Sequence, residues 1–440
     1  MKKVDILFLY ETKVRELENI CLIKNELEKR GYTVGVQNTW NSLGIKRYPY
    51  KAKVVVTHGM YHDGIYEFVK SLVGCVPKIV NMQCEQVGTM RDETDENSRF
   101  VLHGMAGQSM NICWGDRTVK RLTEKSRIDD RHISKTGQVG LDFCREELRA
   151  YYLTRAEIFE KYGISKDYEL NLFISSFAYV NLPEEIENNS EMLNKKTFIQ
   201  VSRQSFKGIL EWFSHALDEY PHQAFLYRPH PAEANNEDLI ALSKKYEGRF
   251  FVIGELSVKQ WIAVADRVYT WYSTAAAEVH AFGVPCAILR PVAIPDEMEI
   301  AIYENASFIT DYPAFRRTVT EPFSSSLSQE VFAQYYHVDD VPAYLKVADA
   351  IEHVFKDDSY LVRAVKKKQQ LDFKLCCKKI GYEMLVRVKA CLPKKSRLLE
   401  KYRKKEFDAY TLQLRKSNHA SDEEILQIQN RLKATLTPTK

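Results

Sequence analysis

The stretch Ala224-Phe225-Leu226-Tyr227-Arg228-Pro229-His230-Pro231 decides how the fold is read. An apolar run of strand length ends in a cation, and prolines then fix the backbone on both sides of a histidine. Arg228 and His230 therefore stand at the carboxyl end of a buried strand. A counterpart lies downstream, Ser273-Thr274-Ala275-Ala276-Ala277-Glu278-Val279-His280-Ala281-Phe282-Gly283-Val284-Pro285. It opens with small hydroxyl residues where a helix should start, and closes on Gly-Val-Pro before the strand-like Cys286-Ala287-Ile288-Leu289. In an open parallel α/β sheet, ligands bind outside the carboxyl ends of the strands. A guanidinium, a stiffly held imidazole and a helix start gathered there suit a phosphate group.

The alternation of strand and helix extends in both directions from these motifs. Toward the N-terminus, strands are expected at Ile6–Tyr10, Tyr32–Gln37, Val54–Val56, Lys78–Asn81 and Ile112–Trp114, with helices over Val14–Arg30 and Ile65–Leu72. A charged and mostly helical stretch, 145–168, interrupts the pattern. It restarts with strands at Leu170–Ser175, Ala224–Tyr227, Phe250–Ile253, Arg267–Thr270 and Cys286–Leu289. Helical spacing fills the gaps at Phe206–Asp218, Glu237–Lys245, Val258–Val264 and Thr274–Phe282. Strands and helices of these lengths in alternation indicate βαβ units and parallel sheets. The expected class is α/β of the GT-B type, two Rossmann-like domains facing a cleft. The boundaries fall at 1–145 for an N-terminal acceptor domain, 146–168 for a linker and 169–340 for a donor domain, with a helical basic tail over 341–440.

Bulk composition agrees with this. A chain of 440 residues with 45% hydrophobic and 12% aromatic content has room for two cores. The net charge of +4 is unevenly spread, since 361–405 carries 16 Lys or Arg against three acidic residues, so the remainder is acidic. An acidic body argues against a nucleic-acid surface. The basic segment, interleaved with apolar residues and Cys376-Cys377, reads as an amphipathic helix attracted to an anionic membrane surface. A solvated helix packed back on the domains and a polyanion site are the competing uses of the same charge. The nine cysteines are odd in number, form no CxxC pair and mostly lie in apolar contexts such as Ile112-Cys113-Trp114, as reduced thiols do in a cytoplasmic protein. The opening Met1–Tyr10 is too short in its apolar part for a signal peptide, and no apolar run reaches membrane-spanning length. A cytoplasmic protein, peripheral at the inner face of the cell membrane, is expected.

Several residues are placed to carry chemistry. Ser175-Ser176 closes the first strand of the second half, and Ser202-Arg203-Gln204-Ser205 precedes a helix, so Ser175, Ser176 and Arg203 border the same pocket as Arg228 and His230. Ser273 and Thr274 read as helix N-caps whose turn offers free N–H groups to an anion. Ala275–Ala277 allow close approach, and Glu278, one turn in, is placed to accept from ribose hydroxyls or simply to sit on a helix surface. In the first half, Glu11–Glu16, His58-Gly59 and Cys84-Glu85-Gln86 each follow a strand. A transfer reaction needs a general base for the acceptor hydroxyl, and Glu85, Glu16 and His58 are the candidates. No DxD-like pair and no His/Cys cluster with ligand spacing appears, so no metal and no cofactor are expected, and the departing phosphate falls to Arg228, His230 and the Ser273 helix start.

With these residues in view, the chain resembles bacterial surface and capsular polysaccharide glycosyltransferases of the GT-B fold. That group includes Kdo transferases, polysialyltransferases and the CDP-glycerol glycerophosphotransferases of teichoic acid synthesis. The shared elements are His230-Pro231 and the serine-bearing start at Ser273-Thr274, which in such enzymes hold the donor's phosphate. Trp114-Gly115 followed by Lys135-Thr136-Gly137 resembles the end of their N-terminal half. Lys13-Val14-Arg15-Glu16-Leu17 resembles the start of a subgroup described as surface carbohydrate biosynthesis proteins. The resemblance covers about residues 1–320, with specific motifs only in 225–290. It implies transfer of a sugar or polyol phosphate from a CMP-, CDP- or UDP-linked donor to a glycan or lipid-linked glycan acceptor. Two departures stand out: the N-terminal half has no match for the group's acidic catalytic motif, and no Glu-x7-Glu pair follows Glu278. A nucleotide-sugar epimerase of the same fold and a non-enzymatic polyanion-binding scaffold are the alternatives.

Overall fold

The computed structural model describes residues 2–39, 50–181, 196–230, 233, 236–362, 384 and 417–437. The basic segment 361–405, on which the membrane expectation rests, lies outside the described residues apart from 361, 362 and 384, and so does Pro231. The chain divides into two compact units, one made of 1–86, 99–139 and 337–440, the other of 87–98 and 140–336.

The first unit is built on a six-stranded sheet of β1 (Lys2–Tyr10), β2 (Val34–Asn38), β3 (Tyr50–Thr57), β4 (Lys78–Asn81), β5 (Met110–Cys113) and β6 (Ile133–Lys135), in the order β2-β1-β3-β4-β5-β6. Every pairing is parallel. From Ile6 to Tyr10 and from Val54 to Thr57 each residue is buried. Such unbroken apolar runs belong to central strands covered by helices on both faces. One covering helix is Lys13–Lys29, which buries Leu17, Ile20, Cys21 and Ile23. Two C-terminal elements join it. The helix Ala343–Lys356 is tied by Arg30 to Asp349 at 2.6 Å and Glu352 at 3.0 Å. The helix Asp422–Leu436 exchanges side-chain bonds with it, Asn25 donating to the Gln429 carbonyl at 3.0 Å and Gln429 donating to Asn25 Oδ1 at 2.7 Å. Gly137 lies just before the chain leaves this unit and packs against His337, where it returns. Its φ is +86°, and a Cβ there would stand 2.4 Å from the His337 carbonyl oxygen, so no other residue fits.

The second unit carries β7 (Glu169–Ile174), β8 (Gln223–Arg228), β9 (Phe250–Val252), β10 (Arg267–Thr270), β11 (Cys286–Leu289) and β12 (Phe308–Ile309), all parallel, in the order β12-β11-β10-β7-β8-β9. Its core is aromatic. Phe173, Phe213, Phe225, Tyr269 and Phe315 form a chain of ring contacts 4.8–6.3 Å apart across one face. The stretch 145–168 contains two short helices, Glu146–Arg149 and Arg155–Tyr162, the second opened by a Thr154–Glu157 capping box. Among the described residues, no helix is long and apolar enough to cross a membrane.

Candidate active site

Strand order locates the place in each sheet where a ligand belongs. A crevice opens outside the carboxyl ends of the strands where the winding direction reverses. In the second unit the reversal lies between β7 and β10, so Ser175-Ser176 and Trp271–Ser273 flank it. In the first it lies between β1 and β3, flanked by Glu11-Thr12 and His58.

The second-unit site is organised by a residue the sequence reading passed over. Glu233 accepts from Ser175 Oγ at 2.6 Å, Tyr227 Oη at 2.6 Å and the His230 N–H at 3.1 Å. Ser175 and Tyr227 also contact each other at 2.7 Å, closing a triangle of oxygens. Two hydroxyl protons cannot serve three edges, whereas a protonated carboxyl supplies the third. Burial pushes the Glu233 carboxyl up, partly opposed by those same donors, in keeping with that count. The network joins the ends of β7 and β8 and holds the backbone of His230, whose side chain is exposed. A lone carboxylate three residues after His230 was the only sequence signal for it.

The other candidates take differing positions. Arg228 is 6% exposed, and its guanidinium donates to the Leu256 carbonyl at the end of the loop after β9, so it braces that loop and does not lie open beside His230. Arg203 donates to the Val180 carbonyl at 3.2 Å, pinning the segment after β7. Ser176 is half-buried, with an enclosed hydroxyl that has no partner among the described residues.

The helix at the second motif begins later than expected, at Ala276, and its N-cap, Ala275, supplies no side-chain bond. Ser273 Oγ instead accepts the Ala275 N–H at 3.3 Å, a serine turn that competes with capping. The N–H groups of Ser273, Ala276 and Ala277 go to Tyr303 Oη and to the carbonyls of Ser273 and Thr274. The expected row of free amides is thus largely engaged, leaving the Ser273 and Thr274 hydroxyls as the polar surface. Thr274 is exposed. Glu278 is half-buried; burial, and after it the Glu278 charge, raises the Cys144 and Tyr336 pKa values.

A buried ion pair frames this turn. Arg290, which ends β11 just as Arg228 ends β8, is 4% exposed and grips Glu299 through both carboxylate oxygens, at 2.6 and 3.1 Å. It also donates to the Trp271 carbonyl and lies 5.1–5.9 Å from the rings of Trp271, Tyr272, Tyr303 and Phe308. Tyr303 in turn donates to the Ser273 carbonyl at 2.9 Å.

In the first unit the three candidate bases differ in their surroundings. Glu16 is 6% exposed, and its oxygens accept the N–H groups of Thr12 at 2.9 Å and Glu11 at 3.1 Å. Burial raises its pKa, against which His58 acts. Glu85 is paired with Arg15 at 3.1 Å and Arg99 at 3.4 Å. His58 is mostly buried, with Nε2 3.9 Å from Glu11 Oε2 and Nδ1 enclosed without a partner among the described residues. After β4, the strand paired with β3, Gln83 is fully buried with φ +43°. Neither of its amide atoms has a partner among the described residues. Strain and unmatched polar atoms of this kind gather where structure serves binding before stability. Cys84, whose amide donates to the His58 carbonyl at 2.8 Å, has its thiol pushed well up by burial.

No protein-family model matches the chain, and no curated protein does. Solved structures are similar. A variant of the wall teichoic acid polymerase TagF aligns at TM-score 0.50 and 12% identity, covering 80% of this chain and 89% of that one. The S. aureus MnaA–UDP co-structure aligns at 0.46 and 15%, over 81% and 97% of the two chains. The Methanocaldococcus jannaschii UDP-GlcNAc 2-epimerase in complex with UDP-GlcNAc and UDP aligns at 0.47 and 12%, over 80% and 99%. Two parallel six-stranded sheets with their helices, together with the likeness to TagF, give this chain a two-domain α/β fold of the GT-B type.

Proposed function

We propose that the chain is a glycosyltransferase that uses a CMP-, CDP- or UDP-linked donor and extends a cell-surface polysaccharide. The second unit holds the donor's phosphate through His230 and the Ser273 and Thr274 hydroxyls, with Ser175, Ser176, Arg203 and Glu278 around the nucleotide and Arg228 bracing the neighbouring loop. The first unit supplies the base. Of its three candidates only His58 has a ring nitrogen that is neither salt-bridged to arginine nor taken up by backbone amides, and Glu11 stands ready to stabilise the imidazolium. In the reaction the acceptor hydroxyl gives its proton to His58 and its oxygen bonds to the anomeric carbon. The bond from that carbon to the donor phosphate breaks, and the negative charge leaves with the nucleotide. The reading needs no metal.

The observation that carries this reading is the Glu233 network. A half-buried carboxyl, held by the Ser175 and Tyr227 hydroxyls, accepts the backbone N–H of an exposed histidine beside the sheet's reversal point. Transfer of a polyol phosphate from a CDP-linked donor is the second reading, favoured by the likeness to a teichoic acid polymerase. Thermal unfolding against CMP, CDP, UDP, GDP and ADP tests both. A nucleotide at about 100 times its Kd stabilises by about 2.7 kcal/mol, and His230→Ala should abolish the shift. No shift with any nucleotide would overturn the proposal. Release of free nucleotide with glycosidic or with phosphodiester product separates the two readings.

A further inference from the structure

A cavity of about 440 Å³ opens in the first unit between the segments that lead into β5 and β6. It therefore lies at the amino ends of those strands, the opposite edge of the sheet from His58. Ser359–Leu361, following the helix Ala343–Lys356, forms another wall. Its lining brings His103, Arg127, Arg131 and His132 together against one carboxylate, Asp129. That carboxylate is already engaged, accepting the Arg131 N–H at 3.0 Å and standing 3.9 Å from its guanidinium.

Two features mark this cavity as built. Arg127 has φ +52° in the turn that closes the helix Asp116–Glu124, where the Ile128 N–H reaches back to the Leu122 carbonyl. Glycine or asparagine takes such a left-handed position freely, so an arginine there holds a strained backbone while presenting its side chain. His132 is 7% exposed and hydrogen-bonds the Ser109 backbone, yet its Nδ1 is buried without a partner among the described residues. Burial and the neighbouring Arg131 hold the imidazole below its usual pKa, so at neutral pH it is uncharged. A neutral ring with one nitrogen donating has the other as an acceptor. Tyr360 fixes that ring edge-on, with centroids 5.2 Å apart, and donates its hydroxyl to the Arg131 carbonyl at 2.5 Å.

We infer that this cavity binds a hydroxylated anion, a carboxylated or phosphorylated sugar. Arg127 and Arg131 take the anionic group, and His132 Nδ1, which is closed to solvent, accepts one of the hydroxyls when ligand entry shifts the wall that covers it. The inference stands apart from the transfer reading, because none of these residues belongs to the His58 or His230 sites. The same chemistry occurs in a free sugar acid or sugar phosphate and in a residue of an acidic glycan.

Isothermal titration of the full chain with galacturonate, trigalacturonate and glucose 6-phosphate tests it, with glucose and sulfate as controls. The sugar acids and the sugar phosphate should bind and glucose should not. Arg127→Gly, which relieves the left-handed strain and so keeps the fold, should weaken binding tenfold or more, as should Arg131→Gln. Nucleotide-induced thermal shifts should be untouched in both variants. A trimer that binds tighter than the monomer assigns the site to a glycan chain, and equal affinities assign it to a free metabolite. Absence of binding by the native chain, or affinities unchanged in both variants, overturns the site. Sulfate binding as tightly as glucose 6-phosphate removes the role given to His132.

Discussion

Replacing Arg290 with leucine tests whether the end of β11 organises the Trp271–Ser273 turn of the second unit. The substitution removes a guanidinium that is 4% exposed and leaves Glu299, also largely buried, without its bidentate partner. It further deprives the Trp271 carbonyl of a donor. Breaking a buried pair by removing one member costs roughly 3–5 kcal/mol, chiefly the penalty for the stranded charge. For a unit of this size each kcal/mol lowers Tm by about 2–4 °C, so a loss on the order of 10 °C is expected. Calorimetry of Arg290→Leu, Glu299→Leu and the double variant measures the coupling directly. The double variant should be less destabilised than the sum of the two single changes, since it leaves no unpaired charge. A single-variant cost below about 1 kcal/mol, a value typical of exposed pairs, or strict additivity in the cycle would refute the reasoning. Arg290→Leu should also lose the nucleotide-induced shift, because the Trp271–Ser273 turn hangs from that guanidinium.

Three further outcomes follow from the geometry. Glu233 holds its proton more tightly in the folded chain than the ordinary carboxylate value of 4.5, so its contribution to stability is greatest below that value and fades as pH rises through the raised pKa. Urea titrations of Glu233→Gln, which keeps the shape and removes the charge, should show a native-minus-variant stability that declines with pH across this range; a flat difference would sink the protonation argument. His58→Asn should reduce kcat by about 10²–10⁴-fold with KM little changed, the scale of a lost general base, whereas Glu16→Gln should act mainly on stability. Asn418→Ala removes the acceptor of the Lys13 N–H at 2.8 Å and should cost about 1 kcal/mol. Steady-state kinetics should show an added drop in kcat from the loosened Glu11–Lys13 loop, and an unchanged kcat would confine Asn418 to a structural role.

The parallel sheets were legible because their central strands are buried on both faces and carry unbroken apolar runs, as in Ile6–Tyr10 and Ala224–Tyr227. The strands that escaped notice, Ile133–Lys135 and Phe308–Ile309, lie at sheet edges and are three and two residues long, too short to set a period. At the sites, position along a strand was legible and partnership was not. Arg228 and Arg290 give the same signal, a cation ending an apolar run, yet one meets a backbone carbonyl and the other a buried carboxylate nine residues on. Glu16 and Glu85 likewise look alike in sequence, and only tertiary neighbours distinguish a carboxylate that closes its own helix start from one clamped by Arg15 and Arg99. The serine turn at Ser273 was missed because capping and the local alternative use the same residue types.

The packing of the helix Asp422–Leu436 on Lys13–Lys29 bears on how the chain is made. Contacts such as Asn25 with Gln429 and Tyr10 with Asn418 span about four hundred residues, so β1 cannot reach its final surroundings until the chain through residue 429 has left the ribosome. The second unit, drawn almost wholly from 140–336, has all its strands in hand much earlier. Synthesis should therefore complete the middle of the protein before its beginning, and the nascent N-terminal sheet, apolar on both faces, must be shielded throughout the interval. A message truncated before codon 418 would yield a chain whose first unit never closes, a ready substrate for proteolysis even though its second unit is intact.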